Sequence, residues 1–395
     1  MKISKRAQTI TASMTLEITA KVKQLRAEGK SIIGFTAGEP DFNTPDYIIE
    51  SAKRALDKGA TKYTPVAGIL ELKQAICDKF KKDNNLYFEP SQIIVSNGAK
   101  SSLYHAIYAL IDEGDEVIIP APFWFTYEEQ VKMCGGVTVP VITKPENGYK
   151  ITPAELENAI TDKTVAFLIN SPSNPTGALY SESELKALSK VLEKHGIITI
   201  SDEIYEKLIY DGNKHVSIAS VSEYMRNNTV VINGVSKTYA MTGWRIGYLG
   251  APKAVAEVIN RVQGQTTSNA CSISQHASLT ALTSDNGAVE NMRKTYDLRR
   301  KYIINRVEKL GLQYIKPMGA FYVFMDISKY VGKTFNGKVI KGSMDFASLL
   351  TENGVAVIPG LPFHADNFVR LSYAVSLEDI EEGFNRIENF VSKLN

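Results

Sequence analysis

The middle of the chain alternates between short runs that are apolar throughout and longer amphipathic stretches. Continuous apolarity over three to six residues is typical of strands that are covered on both faces. Helical stretches such as Glu184–His195 separate several of the runs. The pattern therefore predicts a doubly wound α/β domain with a mostly parallel, seven-stranded sheet. The seven runs are Ile93–Val95, Val117–Ile119, Val137–Ile142, Val165–Ile169, Ile197–Ile200, Val230–Ile232 and Ile246–Leu249.

The two ends of the chain follow a different pattern. Residues 14–28 predict a helix and residues 31–36 a short strand. After the turn at 284–287 the sequence predicts a long helix, three apolar segments and an amphipathic C-terminal helix that begins at Ser376. We therefore expect a large α/β domain at residues 46–287, and a smaller α+β domain formed by residues 1–45 together with 288–395. The three apolar segments are Gly319–Met325, Val355–Ile358 and Phe368–Tyr373.

Composition narrows the class of protein. The chain has 395 residues, with 45 basic and 43 acidic side chains and a net charge of +2, which argues against a nucleic-acid or membrane-surface partner. Its three cysteines lie far apart and its five histidines share no metal-ligand spacing, so no metal is expected. The N-terminus lacks a signal-peptide core and no apolar run reaches the length of a membrane span, so we expect a cytoplasmic protein.

The segment Thr229–Pro252 carries the most informative residues. Lys237 follows the end of a predicted strand, and Arg245 stands inside the apolar stretch 244–248. A lysine in this setting suits a covalent amine that holds a phosphorylated carbonyl cofactor. Read alone, the pair could equally be a solvated loop lysine and an edge-strand arginine.

Polar residues follow three other predicted strands. Small residues at 96–102 lead into a helix, where the backbone N–H groups suit a phosphate, although a plain turn is an alternative. Asn174 lies in a rigid turn rich in proline and glycine. Asp202 directly follows a buried strand, where it could cap a helix or meet a cation. Because these strand ends share one edge of the sheet, the residues converge on the set that pyridoxal 5′-phosphate requires.

The chain resembles the fold-type I, class I/II pyridoxal-phosphate aminotransferases, and within them the branch of bacterial aspartate aminotransferases that has an AGEPDF segment. The resemblance spans essentially the whole chain, and several motifs occur in the same order. They are AGEPDFNTP (37–45), KYTPVAG (62–68), SNGAKSSL (96–103), NSPSNPTG (170–177), SDEIYE (201–206), SKTYAMTGWRIGY (236–248) and VRLSYA (369–374).

The resemblance implies a role for each motif residue. Lys237 would form the Schiff base with the cofactor and shuttle the proton, and Asp202 would pair with the pyridine nitrogen. Asn174 and Tyr205 would contact the 3′-oxygen, and Trp124 would stack on the ring. Arg370 would bind the substrate α-carboxylate, assisted by Asn174, Trp124 and the backbone of Gly38. The phosphate would be held by Gly98, Ala99, Ser236 and Arg245, and by Tyr63 from the partner subunit of a homodimer.

The substrate is less well specified than the cofactor. In the branch that this chain resembles, Lys100, Ser13 and Thr15 would support the distal carboxylate of a dicarboxylic amino acid. The resemblance therefore implies transfer of the amino group of L-aspartate to 2-oxoglutarate by a ping-pong mechanism. Lys100 could instead complement the phosphate, which leaves aromatic amino acids, alanine and prephenate as alternative substrates.

Two other functional classes fit less well. A non-catalytic pyridoxal-phosphate-binding regulatory protein is disfavoured because every catalytic position is filled. A nicotinamide-dependent enzyme is disfavoured because no G-x-G-x-x-G motif follows the first strand.

Overall fold

The computed structural model describes residues 1–12, 14–284 and 286–395. The helices in this part of the chain are α1 Lys5–Gln8, α2 Met14–Ala27, α3 Asp46–Asp57, α4 Leu70–Asn84, α5 Ala99–Leu110, α6 Thr126–Met133, α7 Pro153–Ala159, α8 Glu182–His195, α9 Glu223–Asn227, α10 Lys253–Thr266, α11 Ser272–Thr283, α12 Ala288–Lys309, α13 Ser343–Glu352 and α14 Leu377–Val391. The strands are β1 Ile33–Gly34, β2 Ile93–Ser96, β3 Glu116–Ala121, β4 Val137–Ile142, β5 Thr164–Asn170, β6 Ile198–Asp202, β7 Thr229–Gly234, β8 Gly247–Gly250, β9 Tyr314–Ile315, β10 Tyr322–Asp326, β11 Thr334–Phe335, β12 Lys338–Val339, β13 Val355–Ala356, β14 Ile358–Pro359 and β15 Phe368–Ser372.

The central sheet has seven strands in the order β2-β8-β7-β6-β5-β3-β4. Each of the seven apolar runs of the sequence corresponds to one of these strands. Strand β8 is antiparallel to both of its neighbours, whereas the pairs among β3 to β7 are parallel. The predicted fold class, a doubly wound and mostly parallel α/β sheet, is confirmed.

Helices cover both faces of this sheet, which explains why its strands are apolar throughout. Within β3, Val117 packs on the side of α5, α6 and α10, whereas its neighbour Ile118 packs on the side of α7 and α8. Both side chains are fully buried. Successive strand residues point to opposite faces, so a sheet that is covered twice needs apolar side chains at every position.

A second, antiparallel sheet follows in the order β14-β15-β10-β9. Helix α14 packs on the C-terminal part of the chain through Ile380, Phe384 and Ile387, which are fully buried as the amphipathic pattern predicted. Ser376 accepts a hydrogen bond from the backbone N–H of Asp379 at 3.0 Å, which caps this helix. The smaller α+β part of the predicted architecture is confirmed.

The N-terminal segment packs against this C-terminal part. Strand β1 pairs in parallel with β13, and Phe35 lies 6.1 Å from the ring of Phe384. The predicted strand 31–36 is too long, because the backbone leaves its partner strand after Phe35 and turns towards a cavity. In the described part of the chain, no helix combines the length and the apolarity needed to span a membrane.

Candidate active site

The strand ends predicted to meet do meet at one edge of the central sheet. Asn170 at the end of β5 is the register partner of Asp202 at the end of β6, and Asp202 is the partner of Ile232 in β7. Gly247, the first residue of β8, lies between Ser96 of β2 and Gly234 of β7. The segments that follow these strands surround a cavity of about 670 Å³.

Most of the predicted site residues line this cavity. They are Thr15, Gly38, Ala99, Lys100, Trp124, Asn174, Asp202, Tyr205, Ser236, Lys237, Arg245 and Arg370. Gly98 lies directly behind the cavity wall, against Arg245. Tyr63 lies on the surface with its side chain 92% exposed, away from the cavity of its own chain. Ser13 lies outside the described residues.

Lys237 stands three residues after β7, and its ammonium is held at the cavity floor. Its Nζ donates a hydrogen bond to the carbonyl oxygen of Gly38 at 2.5 Å. Desolvation lowers the pKa of Lys237 from its usual 10.5 to about 8, and the charges of Arg245 and Arg370 act in the same direction against the charges of Glu39 and Asp202. A lysine with such a pKa supplies neutral, nucleophilic amine near physiological pH.

The segment that carries Gly38 is fixed at two further points. Arg299 of α12 forms a bidentate ion pair with Asp41, with both N–O distances at 2.8 Å. The side chain of Glu39 accepts a hydrogen bond from Thr242 at 2.8 Å. A planar guanidinium fork restricts the orientation of its partner, so these contacts hold the Gly38 carbonyl in place beside Lys237.

Asp202 is the last residue of β6 and is 5% exposed. One carboxylate oxygen accepts a hydrogen bond from the Tyr127 hydroxyl at 2.9 Å, and the other accepts one from the Ile204 backbone at 3.1 Å. Burial outweighs both bonds and raises the pKa of Asp202 from 3.8 to about 6. The alternative that Asp202 caps a following helix is wrong, because the residues after it form turns. A buried carboxylate of this kind suits a cationic ligand atom.

The segment after β2 is packed tightly against β8 and Arg245. A side chain at Gly98 would place its Cβ 2.4 Å from the Arg245 guanidinium, and a Cβ at Gly247 would lie 2.1 Å from the Ala99 nitrogen. Gly98 also has a φ of +87°, a conformation that favours glycine. Arg245 therefore lies at the N-terminus of α5, where the first backbone N–H groups have no partner inside the helix. A glycine-rich helix N-terminus with an arginine beside it suits a phosphate.

Arg370 lies in the interior of the second sheet, on β15, and is 2% exposed. Its guanidinium donates to the Asn174 side chain at 2.9 Å and to the Thr36 carbonyl at 3.1 Å. Burial lowers its pKa from the usual 12.5, while Tyr322 and Tyr205 act in the opposite direction. Among the described residues no carboxylate lies within ion-pair distance of it. A buried cation with only neutral partners is poised to bind an anionic ligand.

Lys100, in the first turn of α5, occupies a more exposed part of the cavity. Its ammonium lies 4.6 Å from the centre of the Trp124 ring. The pKa of Lys100 lies below the usual lysine value because desolvation, and then the charge of Arg245, disfavour the ammonium form. Thr15 of α2 lines the same cavity.

The charge of the cavity matches pyridoxal 5′-phosphate with a bound amino acid. Among the described residues that line it, six are cationic and three are acidic, which favours a ligand with several negative charges. The site offers a buried amine, a buried carboxylate for the ring nitrogen and a glycine-rich helix N-terminus for the phosphate. The residues present therefore fit the cofactor.

Three residues of the site were not predicted. Tyr127 binds Asp202, and Asn170 binds the backbone of both Asp202 and Asn174. Tyr322 lies with its ring 4.4 Å from the Arg370 guanidinium carbon. The position of Asn170 at a strand end was available as a signal. No sequence signal marked Tyr127 or Tyr322, which look like core residues in apolar surroundings. Their contacts with Asp202 and Arg370 arise only when distant segments of the chain come together.

The comparisons with known proteins agree with this site. The model of the family "Aminotransferase class I and II" matches residues 30–387. The chain is 48% identical to the aspartate aminotransferase of Bacillus subtilis, over the whole of both chains. It is 44% identical to the probable aspartate/prephenate aminotransferase of Aquifex aeolicus, over 99% of both chains. The structure of the aspartate aminotransferase from Rhizobium meliloti has a TM-score of 0.96 and 40% identity over 100% of both chains.

The chain belongs to the class I and II aminotransferase family. The family and cofactor predictions are confirmed, and the protein is a pyridoxal-phosphate-dependent aminotransferase. The aspartate aminotransferase of Thermus thermophilus in its structure with maleate has a TM-score of 0.94 and 41% identity, over 99% of this chain and 100% of the other.

Proposed function

We propose that this enzyme transfers the amino group of L-aspartate to 2-oxoglutarate, giving oxaloacetate and L-glutamate in two half-reactions. The observation that carries the proposal is a pair of cations in one cavity: buried Arg370, which has no anionic partner among the described residues, and Lys100 beside Trp124. An amino acid with two carboxylates can satisfy both. The names of the relatives, which include aspartate aminotransferases, support this substrate.

The residues divide the chemistry between them. Lys237 Nζ would hold the cofactor covalently and, when its amine is free, would accept and donate the transferred proton. Pyridoxal 5′-phosphate, when bound, supplies the electron sink for this proton transfer. Asp202 holds the positive charge of the ring nitrogen, and Tyr205 and Asn174 bind the ring oxygen. Trp124, which lines the cavity, would stack on the ring and exclude water from it.

Anion binding positions the substrate and the cofactor independently. Arg370 forms the fork for the α-carboxylate, with Asn174 and the fixed Gly38 segment beside it. Gly98, Ala99, Ser236 and Arg245 hold the phosphate. Lys100 and Thr15, together with Ser13, bind the distal carboxylate. Holding the reacting groups in one geometry lowers the entropic part of the barrier.

The half-reactions give a direct test. The visible absorption band of the purified holoenzyme is expected to disappear on addition of aspartate or glutamate, and to return on addition of oxaloacetate or 2-oxoglutarate. A Lys237→Ala protein is expected to lose turnover by at least about 10⁴-fold. Conversion only by aromatic or small neutral amino acids would refute the aspartate assignment. Because some relatives are named aspartate/prephenate aminotransferases, prephenate belongs in the panel of acceptors.

We also propose a homodimer in which Tyr63 reaches the phosphate of the partner's cavity. Tyr63 is 92% exposed on a loop, where a bulky aromatic side chain gains from a partner surface. Mixing Tyr63→Ala with Lys237→Ala is the test. A hybrid dimer restores one complete site only if the tyrosine acts across the interface. Recovery of no activity in hybrids that demonstrably form would refute the assignment.

We infer a large domain at residues 46–287 and a small domain from residues 1–45 and 288–395, supported by the β1–β13 pairing. We also infer a cytoplasmic enzyme, because the three cysteines are free in the structure. Limited proteolysis with and without maleate tests the first, and cell fractionation tests the second.

A further inference from the structure

Tyr322, the first residue of β10, connects two parts of the site that the sequence treats separately. It is fully buried, and its hydroxyl lies 2.9 Å from the hydroxyl of Tyr205. Its ring lies 4.4 Å from the guanidinium carbon of Arg370. Tyr322 therefore contacts both Arg370, the proposed ligand of the α-carboxylate, and Tyr205, a proposed ligand of the ring oxygen. Nothing in the proposed mechanism uses it.

The two tyrosine hydroxyls share one hydrogen bond, so its direction matters. Burial raises the pKa of both phenols, which keeps both protonated near neutral pH. One hydroxyl donates to the other, and the proton of the acceptor remains available to a ligand. The positive charge of Arg370 lies over the face of the Tyr322 ring, which makes the Tyr322 hydroxyl the better donor. With Tyr322 as the donor, Tyr205 is the acceptor and its own proton is free for the cavity.

We propose that Tyr322 is a positioning residue that transmits the charge state of Arg370 to Tyr205, and through it to the ring oxygen of the cofactor. The inference rests on the proposed roles of Arg370 and Tyr205. When a carboxylate neutralises Arg370, Tyr322 becomes a weaker donor. Tyr205 in turn donates less strongly, and the proton affinity of the cofactor's ring oxygen increases. Binding of a carboxylate at Arg370 thereby makes the cofactor easier to protonate.

Other charges also face the ring oxygen and must be separated from this effect. Asp202 ends a strand of the central sheet, Lys237 follows another, and Tyr127 lies on α6, while Arg245 and Glu39 influence Lys237. Arg370 also reaches the proposed ring-oxygen group directly, through its hydrogen bond to Asn174 at 2.9 Å. Substitution of Tyr322 leaves all of these side chains in place. A change that depends on both Tyr322 and carboxylate binding cannot come from them.

The test is a pH titration of the visible absorption band of the holoenzyme, without ligand and with saturating maleate or propionate. In the wild-type enzyme both carboxylates are expected to raise the apparent pKa of the band. In Tyr322→Phe, which keeps the ring over Arg370, the ligand-free pKa is expected to rise by about 0.5 to 1 unit, the equivalent of one hydrogen bond. The carboxylate-induced shift is expected to fall to less than half. For aspartate, kcat falls about 3- to 10-fold and KM changes by less than about threefold.

Two further variants make the result specific. Tyr373→Phe removes another buried hydroxyl, which bonds the Ala320 carbonyl that Tyr210 also binds. It is expected to titrate as the wild type does. Tyr322→Leu removes the ring as well, so KM is expected to rise by about tenfold or more. An unchanged carboxylate-induced shift in Tyr322→Phe would overturn the proposal, as would the absence of any shift in the wild type.

Failure of the proposed function gives a different signature. An Arg370→Leu enzyme is expected to lose the carboxylate-induced shift entirely. If the shift persists there, the carboxylate binds elsewhere, and the assignment of Arg370 is wrong. If instead only the amino donor is misassigned, the titrations with maleate and propionate keep their expected results, because they require only a carboxylate at Arg370.

Discussion

Two of the cations that line the cavity are proposed to bind the substrate carboxylates, and their surroundings differ. Arg370 lies on a central strand of the second sheet, is 2% exposed and has fixed neutral partners. Lys100 lies in the first turn of a helix, is exposed, and has as its near neighbour the face of the Trp124 ring. One cation is oriented by the interior of the protein, and the other keeps the rotational freedom of a long side chain.

This difference in burial and orientation favours a different role for each cation. On the proposed assignment the buried arginine would meet the α-carboxylate, which every amino acid carries, and because its desolvation is already complete it would bind that group strongly. The exposed lysine would meet the side-chain carboxylate, which distinguishes one amino acid from another, and solvent would screen that interaction. We therefore expect binding strength to depend on Arg370 and substrate preference to depend on Lys100.

Arg370→Lys should give the largest effect. Loss of the planar fork in a buried site is expected to lower kcat/KM by about 10²- to 10³-fold, and by a similar factor for every amino donor. Steady-state kinetics with aspartate, glutamate and alanine measure this. Arg226→Lys is the matched control, because Arg226 is exposed on α9 and should stay within about twofold of wild type. A loss confined to dicarboxylic amino donors would mean that Arg370 determines substrate preference rather than binding strength for all donors.

Asp202→Asn extends the comparison to a buried anion. The raised pKa of about 6 means that folded cofactor-free protein holds this proton more tightly than unfolded protein. The wild type therefore loses stability as pH rises from about 4 to about 6, on the order of 3 kcal/mol. The variant lacks this loss, so it should unfold at higher denaturant concentration than wild type at pH 7.5 and at a similar concentration at pH 4.

Addition of the cofactor should reverse the stability advantage of Asp202→Asn over the wild type. Pyridoxal 5′-phosphate is expected to bind Asp202→Asn at least about tenfold more weakly, because the ring nitrogen loses its counter-charge. Equal stabilities of the two cofactor-free proteins at pH 7.5 would contradict the burial argument. Equal cofactor affinities would contradict the role of Asp202.

Lys100→Met should change the preference among amino donors more than the overall rate of transamination. The expected loss in kcat/KM is about tenfold for aspartate and glutamate, and less than about threefold for alanine. Added salt should reduce the wild-type preference in the same direction. Lys132→Met, at an exposed lysine near Glu129 on α6, serves as the control. An equal loss for all donors would indicate that Lys100 complements the phosphate instead.

The sequence predicted those parts of the fold and site that depend on local pattern. Strand β3 could be recognised because both of its faces are buried, and α14 because one face is. Lys237 and Asp202 stand at strand ends, where the topology itself directs attention. Their convergence followed from the rule that parallel strands end at one edge.

The remaining features depend on contacts between distant segments. Tyr322 looks like an ordinary core residue until β10 is placed beside β15 and opposite Tyr205. The predicted strand 31–36 was too long because its partner β13 has only two residues, which no local pattern reveals. The state of Asp202 is likewise determined by burial and by Tyr127, 75 residues away in the chain.

Thr15→Val should give the smallest effect, and it tests the exposed side of the cavity, where Lys100 lies. Thr15 lines the cavity from α2, and a neutral hydroxyl that is partly open to solvent contributes at the low end of hydrogen-bond energies. Valine preserves the shape, so kcat/KM for aspartate should fall about two- to threefold while that for alanine stays unchanged. Thr295→Val, at a partly exposed threonine of α12, controls for the change in helix propensity. A tenfold loss would mean that α2 orients the distal carboxylate as firmly as β15 orients the α-carboxylate, and the contrast between the two cations would no longer explain substrate preference.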